Sequence, residues 1–437
     1  MTKPGQSDID WSVTTWEGSR RDQLRRSAAM TLRERLEAVE GMARLSERLQ
    51  RMRERSVRPA AGVRESDSWG GRGWNVIPLA GCMPEPLINY LKALGVLRLV
   101  AEQEDAGARG WWNGDAFFLR STLDTDALVR FFLEEYKPTS IVGPWAGGSG
   151  FFKKDNKKAV ETILRSGQSR LADYKAVIAA VRKILKEEEV TDKPSDETKV
   201  RLLQRYRREL PLSVVDWMDA AMVLQEDGQA FAPLLGTGGN DGRLDFTQNF
   251  MGRLITLGIG GGQPHERSAK WLGNALFAAP TDQLEGGAVG QFAPGRAGGA
   301  NATQGMEGQA TDNPWDYVLM LEGALMLAGA AVHRLEAGNA ARASFPFAVR
   351  AVATGYSSAA ESDDAEARGE IWLPLWDRPA ALGELRMLFA EGRADVSGRR
   401  ARHALDFARA AATLGVDRGI KLFSRYSFLK RSGKAYL

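Results

Sequence analysis

A glycine-rich turn followed by four lysines is the stretch whose residue types best suit ligand binding. Trp145 lies in the run GPWAGGSGFF, and Lys153, Lys154, Lys157 and Lys158 follow it directly. Lysines can hold a nucleic-acid backbone while an aromatic ring stacks on a base. The pattern predicts a nucleic-acid contact at Trp145, Lys153 and Lys154. Buried aromatics beside a solvated lysine helix would produce the same pattern, and the sequence does not choose between the two.

A second glycine run, GTGGNDG at 236–242, contains Asn240 and is followed by Arg243. Glycine has no Cβ, so its backbone N–H groups can approach a phosphate or a groove closely. Asn240 and Arg243 are therefore candidate nucleic-acid contacts. The alternative is a pair of tight structural turns.

The long segment Asp282–Thr311 is rich in Gly, Ala, Gln and Asn and has few bulky apolar residues. Such a segment cannot form a packed core of its own, so we predict a loop, mobile or ordered by a partner. Its side chains Gln291, Arg296 and Asn301 can read base edges or the width of the minor groove. We expect this loop to read a short DNA motif.

Arginines accumulate near the end of the chain, where Arg399 and Arg400 open a predicted helix. A basic helix can follow a nucleic-acid backbone, which makes these two residues candidate contacts. A solvated helix face explains the same residues equally well.

Signatures of catalysis are missing from the sequence. Histidine occurs 3 times, without an HExxH pair or a Cys/His ligand spacing. Ser149 lacks the second glycine of a GxSxG elbow, and neither glycine run continues into the Lys-Ser/Thr of a phosphate-binding loop. We predict a protein that is not an enzyme and has no metal or cofactor. An unfamiliar carboxylate site at Asp241 and Asp245 is the enzymatic alternative.

The net positive charge of the chain lies in its N-terminal part. Residues 1–75 hold 15 basic and 11 acidic side chains, whereas residues 76–437 hold 44 of each. Nucleic-acid binding by residues 76–437 must therefore depend on local basic patches.

The single cysteine, Cys82, excludes an internal disulfide and fits a cytoplasmic protein. The most apolar stretch, Tyr317–Val332, is too short to span a membrane and contains Glu322, so no membrane association is expected.

Helical periodicity dominates the main body, and the fold class predicted is α+β, predominantly helical. The Asp312 side chain can cap a buried helix that has Pro314 in its first turn. Predicted helices are Pro86–Gln103, Thr125–Tyr136, Ala159–Glu189, Glu197–Leu210, Val214–Leu224, Tyr317–Val332, Arg399–Leu414 and Asp417–Tyr426. Predicted strands are Ala116–Arg120, Ser344–Ala353 and Glu370–Trp376.

The N-terminal part differs in composition from the rest. Thr31 and Glu34 form a capping-box pattern that opens an amphipathic helix with many arginines. We predict an arginine-rich helical extension at 1–55 and a linker at 56–75. The main body then comprises 76–280, the loop 281–313 and a helical and strand region at 314–437.

Three blocks of sequence resemble one known family. The first, at 77–152, opens with IPLAGCMPEPLINYLKALGVLRLV and closes with KPTSIVGPWAGGSGFF. The others are FAPLLGTGGNDGRLDFTQNF at 231–250 and NPWDYVLMLEGALMLAGAAVHRL at 313–335. Together they resemble the Csx-type large subunit of the type I-G, formerly type I-U, CRISPR Cascade complex. The resemblance runs in the same order from Val76 to Leu437.

The resemblance implies a multi-segment large-subunit architecture and a non-catalytic role in antiviral defence. It also implies partners: the other effector subunits with their crRNA, target DNA containing a protospacer-adjacent motif, and a helicase-nuclease recruited on target binding. Target sequence would then be read by RNA–DNA pairing, while the protein reads shape and a short motif. The resembled proteins continue further, so we expect this chain to lack a C-terminal region.

Residues 1 to about 75 are foreign to that family pattern. Their WSVTTWEGSRR run at Trp11–Arg21 weakly resembles small arginine-rich bacterial antitoxin-like proteins. The alternative function is therefore a regulatory or toxin-partner binding protein that acts through its N-terminal helix.

Overall fold

A computed structural model describes most of the chain after the predicted linker. The described residues are 73–225, 228–235, 246–260, 266–281, 284–287, 292–297, 310–332, 342–349, 370–391, 395–396, 399–400, 419–427, 429–431 and 434–436. The chain divides into two compact units, Met1–Asp67 and Ser68–Leu437, and all of the described residues belong to the second. The predicted N-terminal helix and nearly all of the linker lie outside the described residues.

The described residues are of mixed α/β type, and helix predominates over strand. Their α-helices are α1 (Leu87–Gln103), α2 (Thr125–Arg130), α3 (Lys158–Arg165), α4 (Ala172–Glu187), α5 (Asp196–Glu209), α6 (Leu212–Ala221), α7 (Phe246–Thr256), α8 (Glu266–Phe277), α9 (Pro314–Ala324) and α10 (Leu382–Glu391). Short π and 3-10 turns occur at Phe131–Glu135, Ser169–Leu171, Pro294–Ala297 and Leu325–Leu327.

The strands are short and form several small antiparallel sheets. They are β1 (Asn75–Leu79), β2 (Arg109–Asn113), β3 (Ala116–Ser121), β4 (Met222–Gln225), β5 (Gly228–Phe231), β6 (Glu285–Gly287), β7 (Ala310–Asp312), β8 (Ala330–Val332), β9 (Arg342–Ser344), β10 (Ala348–Val349), β11 (Glu370–Trp376), β12 (Ala380–Ala381), β13 (Asp395–Val396), β14 (Arg399–Arg400), β15 (Ile420–Ser427), β16 (Leu429–Arg431) and β17 (Lys434–Tyr436).

Helices α1 and α9 form the centre of the fold. Residues 87–100 of α1 and all of α9 are buried, as expected for helices that are apolar on most faces. The two backbones come into direct contact at Gly95 and Gly323. A Cβ built on Gly95 would lie 2.1 Å from Leu319 O, and one on Gly323 would lie 1.8 Å from Leu91 O. Only glycine therefore permits this crossing.

A buried ion pair accompanies the helix crossing. Arg98 Nη1 on α1 donates to Glu322 Oε2 on α9 at 2.6 Å. Glu322 also accepts from the Tyr136 hydroxyl at 2.5 Å and from the Thr139 backbone N–H at 2.9 Å. A buried carboxylate needs this many donors to offset the loss of its hydration. The contacts also fix the chain segment that begins at Thr139.

Two sheets meet α1 through aromatic rings. One has the order β1-β3-β2-β12 and the other the order β10-β11-β15. Trp112 of β2 stacks on Tyr90 of α1 with ring centroids 5.3 Å apart, and it meets Trp376 of β11 edge to face at 6.2 Å. Trp376 Nε1 also donates to Gly110 O at 2.8 Å. The two sheets and α1 thus share one aromatic core.

Helices α4, α5 and α6 hold the segment after Thr139. The Tyr174 hydroxyl on α4 donates to Ile141 O at 2.6 Å, and Trp217 Nε1 on α6 donates to Val142 O at 2.9 Å. Both carbonyls are buried, so these side chains replace the hydrogen bonds that a strand or helix would have supplied. The segment enters the glycine-rich turn from a fixed position.

Several predicted elements are confirmed. Helix α1 matches the predicted Pro86–Gln103, and α5 matches Glu197–Leu210 within one residue at each end. Strands β3 and β11 match the predicted Ala116–Arg120 and Glu370–Trp376. In each case a local pattern and the tertiary environment favour the same structure.

Two predicted helices are too long. The predicted helix Ala159–Glu189 is divided into α3 and α4, because the chain leaves helical geometry at Ser166 and continues through Gly167. The predicted helix Val214–Leu224 ends at Ala221, since the following residues pair with β5 as β4. Gly228, with φ of 123°, opens β5 in a conformation that other residues rarely adopt.

The predicted helix Tyr317–Val332 is wrong over its second half. Helix α9 ends at Ala324, and β8 pairs with β9 instead. The predicted cap is also wrong, because Asn313 Oδ1 accepts from the Trp315 N–H at 3.1 Å. Asp312 precedes the cap in β7, where two arginines bind its carboxylate.

The end of the chain also departs from the predicted helices. Residues 420–426, predicted within a helix at Asp417–Tyr426, form β15, which pairs with β11. Arg425 lies opposite Trp372 and forms an ion pair with Glu370, so cross-strand pairing outweighs helical spacing here. The first two residues of the predicted helix Arg399–Leu414 form β14, and the others lie outside the described residues.

Two other segments match their predictions in part. Thr125–Tyr136 is α-helical only to Arg130 and continues as a π turn. Ser344–Ala353 is interrupted at Phe347, whose φ is 55°, and its residues beyond Val349 lie outside the described ranges.

The segment Asp282–Thr311 is not wholly a loop. At its two ends β6 pairs with β7, and Phe292 is fully buried in edge-to-face contact with Phe246 of α7. This large apolar side chain helps to hold part of the segment against the core.

The glycine crossing leads to a stability prediction. We expect Gly95→Ala to destabilise the protein by about 1–3 kcal/mol, because the added methyl group must separate α1 from α9. The matched control is Gly252→Ala in α7, where a Cβ would meet nothing within 4 Å. That change should stabilise by up to about 1 kcal/mol through helix propensity. Denaturant unfolding measures both, and equal effects would contradict the proposed contact.

Candidate nucleic-acid interface

The glycine-rich turn at 147–155 is organised around the carboxylate of Asp155. Its oxygens accept from the backbone N–H groups of Gly148 at 2.8 Å, Gly150 at 2.9 Å and Phe152 at 3.2 Å. Gly148 and Gly150 have φ of 90° and 89°, which turns these N–H groups to one side. The turn therefore forms an anion-binding nest, and the chain's own carboxylate occupies it.

Trp145 is buried, with 5% of its surface exposed. It belongs to the hydrophobic core together with Phe152. Its ring would have to leave this core to stack on a base, so its predicted contact requires a movement of the turn. The interpretation that these aromatics are structural accounts for their position.

Five exposed lysines surround the turn, and we call them the lysine surface: Lys153, Lys154, Lys157, Lys158 and Lys193. None of them has an ion-pair partner among the residues that the structure describes, whereas Lys270 and Lys421 elsewhere are paired with carboxylates. Lysines without a carboxylate partner remain able to bind phosphate groups. The predicted contacts Lys153 and Lys154 thus lie on a local basic patch.

The lysine surface is formed by two chain segments that dock on each other. The Lys153 N–H donates to Thr191 O at 2.9 Å. The aliphatic part of Lys193 lies against Gly147, whose Cβ, if present, would be 3.3 Å from Lys193 Cδ. From the other side, Gln248 Nε2 of α7 donates to Asn156 O at 2.7 Å. The turn region that carries these lysines is therefore held in place by contacts with residues 191–193 and with α7.

An exposed aromatic ring lies beyond Lys193. Phe231 at the end of β5 is 38% exposed, although its partner in the hairpin, Met222, is buried. Lys199 Nζ of α5 lies over the Phe231 ring, 5.2 Å from its centroid, which is within the range of a cation–π contact. Burial lowers the pKa of Lys199, nearby Asp196 raises it, and Lys193 lowers it. The charge of Lys193 therefore acts on Lys199.

Sequence reasoning missed Phe231, Lys193 and Lys199. The helix predicted over 214–224 concealed the β4–β5 hairpin that presents Phe231. The dipeptide Asp227-Gly228 is a strong hairpin signal and could have revealed it. Lys193 and Lys199 carry no local signal, because their place beside the turn depends on how α5 packs.

Arg296 is held by carboxylates of the protein itself. Its Nη1 lies 3.3 Å from Asp312 Oδ1, and its Nη2 lies 3.1 Å from Asp316 Oδ2. Asp312 also pairs with Arg253 of α7 at 3.3 Å, and Asp316 pairs with Lys92 of α1 at 2.6 Å. Arg296 thus fastens the 292–297 turn to the start of α9. Its predicted role in reading DNA would require these pairs to open.

Asp312 is unusual among the carboxylates of this cluster. Burial raises its pKa from 3.8 to about 7; Arg253 and Arg296 oppose the rise, and the charge of Asp316 adds to it. The two arginines therefore compensate the buried carboxylate only in part.

The other predicted contacts are not brought to the lysine surface by any contact that the structure describes. Asn240, Arg243, Gln291 and Asn301 lie outside the described residues, as do Asp241 and Asp245. The backbone of Arg399 and Arg400 forms β14, paired with β13. These residues stay predictions.

In the described part of the chain, no group of three or more His, Cys, Asp or Glu side chains is placed to hold a metal ion. Burial raises the pKa of the Cys82 thiol to about 12, which disfavours the reactive thiolate. No described helix is both long enough and apolar enough to cross a bilayer.

The raised pKa of Asp312 leads to a pH prediction. The folded state holds this proton more tightly than the unfolded chain, so stability should fall as pH rises from about 4 to about 7 and then level off. In Asp312→Asn this slope, at most about 1.4 kcal/mol per pH unit, should be missing. Urea unfolding at several pH values measures it.

The control variant for this pH prediction is Asp105→Asn. Burial of Asp105 is outweighed by hydrogen bonds from Thr122, Ser121 and Gly107, so its pKa is lowered. Its stabilising contribution is present above pH 4 and is lost only below it. Between pH 5 and 7 the wild type and Asp105→Asn should keep a constant difference. A constant difference for Asp312→Asn as well would contradict the assignment.

The chain matches no model of a protein family, and it matches no curated protein.

Proposed function

We propose that this protein is the non-catalytic large subunit of a type I-G CRISPR surveillance complex. In this role it acts in the cytoplasm, joins the other effector subunits and their crRNA, and contacts target DNA beside the protospacer-adjacent motif. It has the multi-segment architecture of that subunit and recruits a helicase-nuclease after target binding. The single observation that carries the DNA-binding part is the lysine surface.

The arrangement of the three resembling blocks supports this proposal. Block 77–152 supplies α1 and the glycine-rich turn, block 313–335 supplies α9, and block 231–250 supplies Phe231 and the start of α7. Helix α9 packs on both α1 and α7, and α7 reaches the turn through Gln248. Blocks that are distant in sequence therefore form one structural unit, as expected if they serve one function.

The lysine surface suits contact with a phosphate backbone. Its five lysines are exposed and form no ion pair among the described residues, and the turn beside them has its own anion site filled by Asp155. Phosphate contacts position a nucleic acid without reading its sequence. This fits a complex in which the guide RNA reads the target by base pairing.

Assembly is tested by co-expression. The tagged chain is expressed with the backbone and crRNA-processing subunits of a type I-G system and their guide RNA. We expect stable co-elution of the subunits with RNA on affinity purification. Recovery of the chain alone, free of RNA, while the other subunits assemble with the guide in the same cells, would contradict the proposal.

The DNA contact is tested in the assembled complex with Lys153→Gln/Lys154→Gln. If each lysine binds one phosphate, log Kobs against log salt should become shallower by about 1.8 for a duplex target and about 1.4 for a single strand. The variant should still co-elute with the other subunits.

The matched control is Lys270→Gln/Lys421→Gln, which removes the same charge from α8 and β15. Both lysines are exposed and paired with carboxylates, Glu266 and Asp377. The salt slope should be unchanged there. Equal changes in both double variants would show that net charge, and not the lysine surface, determines binding.

A further inference from the structure

We propose that the lysine surface extends to Phe231 and binds single-stranded DNA, with the Phe231 ring as a stacking platform for an unpaired base. This inference rests on the proposed function and names the form of DNA that the surface holds. It adds Phe231 and Lys199, which belong to two further elements, β5 and α5.

Phe231 is placed as a platform. It is one of few large apolar side chains with more than a third of the surface exposed among the described residues. Met222, its partner across the hairpin, is buried, whereas Phe231 is exposed. An exposed phenyl ring costs solvation free energy unless something covers it. Lys199 covers only part of it, so accessible ring surface remains for a base.

A continuous path joins Phe231 to the turn. It leads from the ring to Lys199 of α5 at 5.2 Å and then to Lys193, which lies three residues before that helix begins and whose side chain lies on Gly147. From there it continues to Lys153, whose N–H donates to Thr191 O. A basic groove that follows the backbone, with an aromatic ring for the bases, is the usual construction of single-strand sites.

Charge balance argues against a duplex as the preferred ligand. Asp192, Asp196 and Glu197 are exposed on the same path and offset several of the lysine charges. A duplex offers mainly its phosphates to such a surface, because its bases are stacked inside, so attraction to the outer backbone would be modest. An unpaired strand offers a base face as well, and stacking on an aromatic ring does not depend on net charge. The surface should therefore favour single strands.

The test measures binding of the purified full chain by fluorescence anisotropy. The probes are a labelled oligothymidylate of about 20 nucleotides, an oligouridylate of the same length and a duplex of the same length. We expect the wild type to bind oligothymidylate more tightly than duplex. Phe231→Ala should weaken oligothymidylate binding about tenfold and leave duplex binding unchanged. Phe231→Tyr, which keeps the aromatic face, should bind like the wild type.

Leu422→Ala is the matched control, since Leu422 is 61% exposed on β15 and its truncation also removes exposed apolar surface. It should leave binding of every probe unchanged. Circular dichroism and thermal unfolding establish that each variant is folded.

Different failures separate the two proposals. If Lys153→Gln/Lys154→Gln weakens binding but Phe231→Ala does not, the single-strand inference is wrong and the proposed DNA contact stands. The inference is also wrong if Phe231→Tyr loses as much as Phe231→Ala, or if duplex binding falls equally. Tighter binding of oligouridylate than of oligothymidylate would assign the surface to RNA and overturn the assignment to DNA. If the wild type binds none of the probes, the proposed DNA contact fails together with the inference.

Discussion

The contact of α1 with α9 at Gly95 and Gly323 is the constraint on which the rest of the structure depends. Because the backbones meet without intervening side chains, polar groups on the flanks of both helices are forced into the interior. Arg98 and Lys92 then need carboxylates within reach, and Glu322 and Asp316 provide them at 2.6 Å. An unpaired charge at this depth would be strongly destabilising, so helix position and ion pairing determine each other.

The same contact determines where the lysine surface lies. Glu322 binds Tyr136 and Thr139, and the residues that follow are held by Tyr174 and Trp217 from separate helices. The glycine-rich turn therefore begins at a position fixed by the core. A substitution at the helix crossing could reduce ligand binding through this chain of contacts without touching a surface residue.

The sequence predicted those parts of the fold whose local pattern agrees with their surroundings. Helix α1 and strand β11 are of this kind. Lys153 and Lys154 follow a recognisable turn and are exposed, and their contact with nucleic acid stays a prediction. Strand β15 could not be predicted, because its conformation depends on pairing with a partner about 50 residues away in sequence. Arg296 was predicted to read DNA because its sequence neighbours do not reveal its ion pairs. The carboxylates that bind it belong to β7 and α9. Phe231 required the hairpin to be recognised first.

The carboxylate of Asp155 inside the glycine-rich turn has a consequence for ligand recognition. A nest of convergent N–H dipoles binds an anion, whose charge neutralises them. Here that neutralisation is intramolecular, with three N–H groups bound at 2.8 to 3.2 Å. A ligand therefore meets a preorganised surface and loses little affinity to ordering entropy. Long-range attraction by the lysines would then govern the rate of encounter, and the rate would respond to ionic strength.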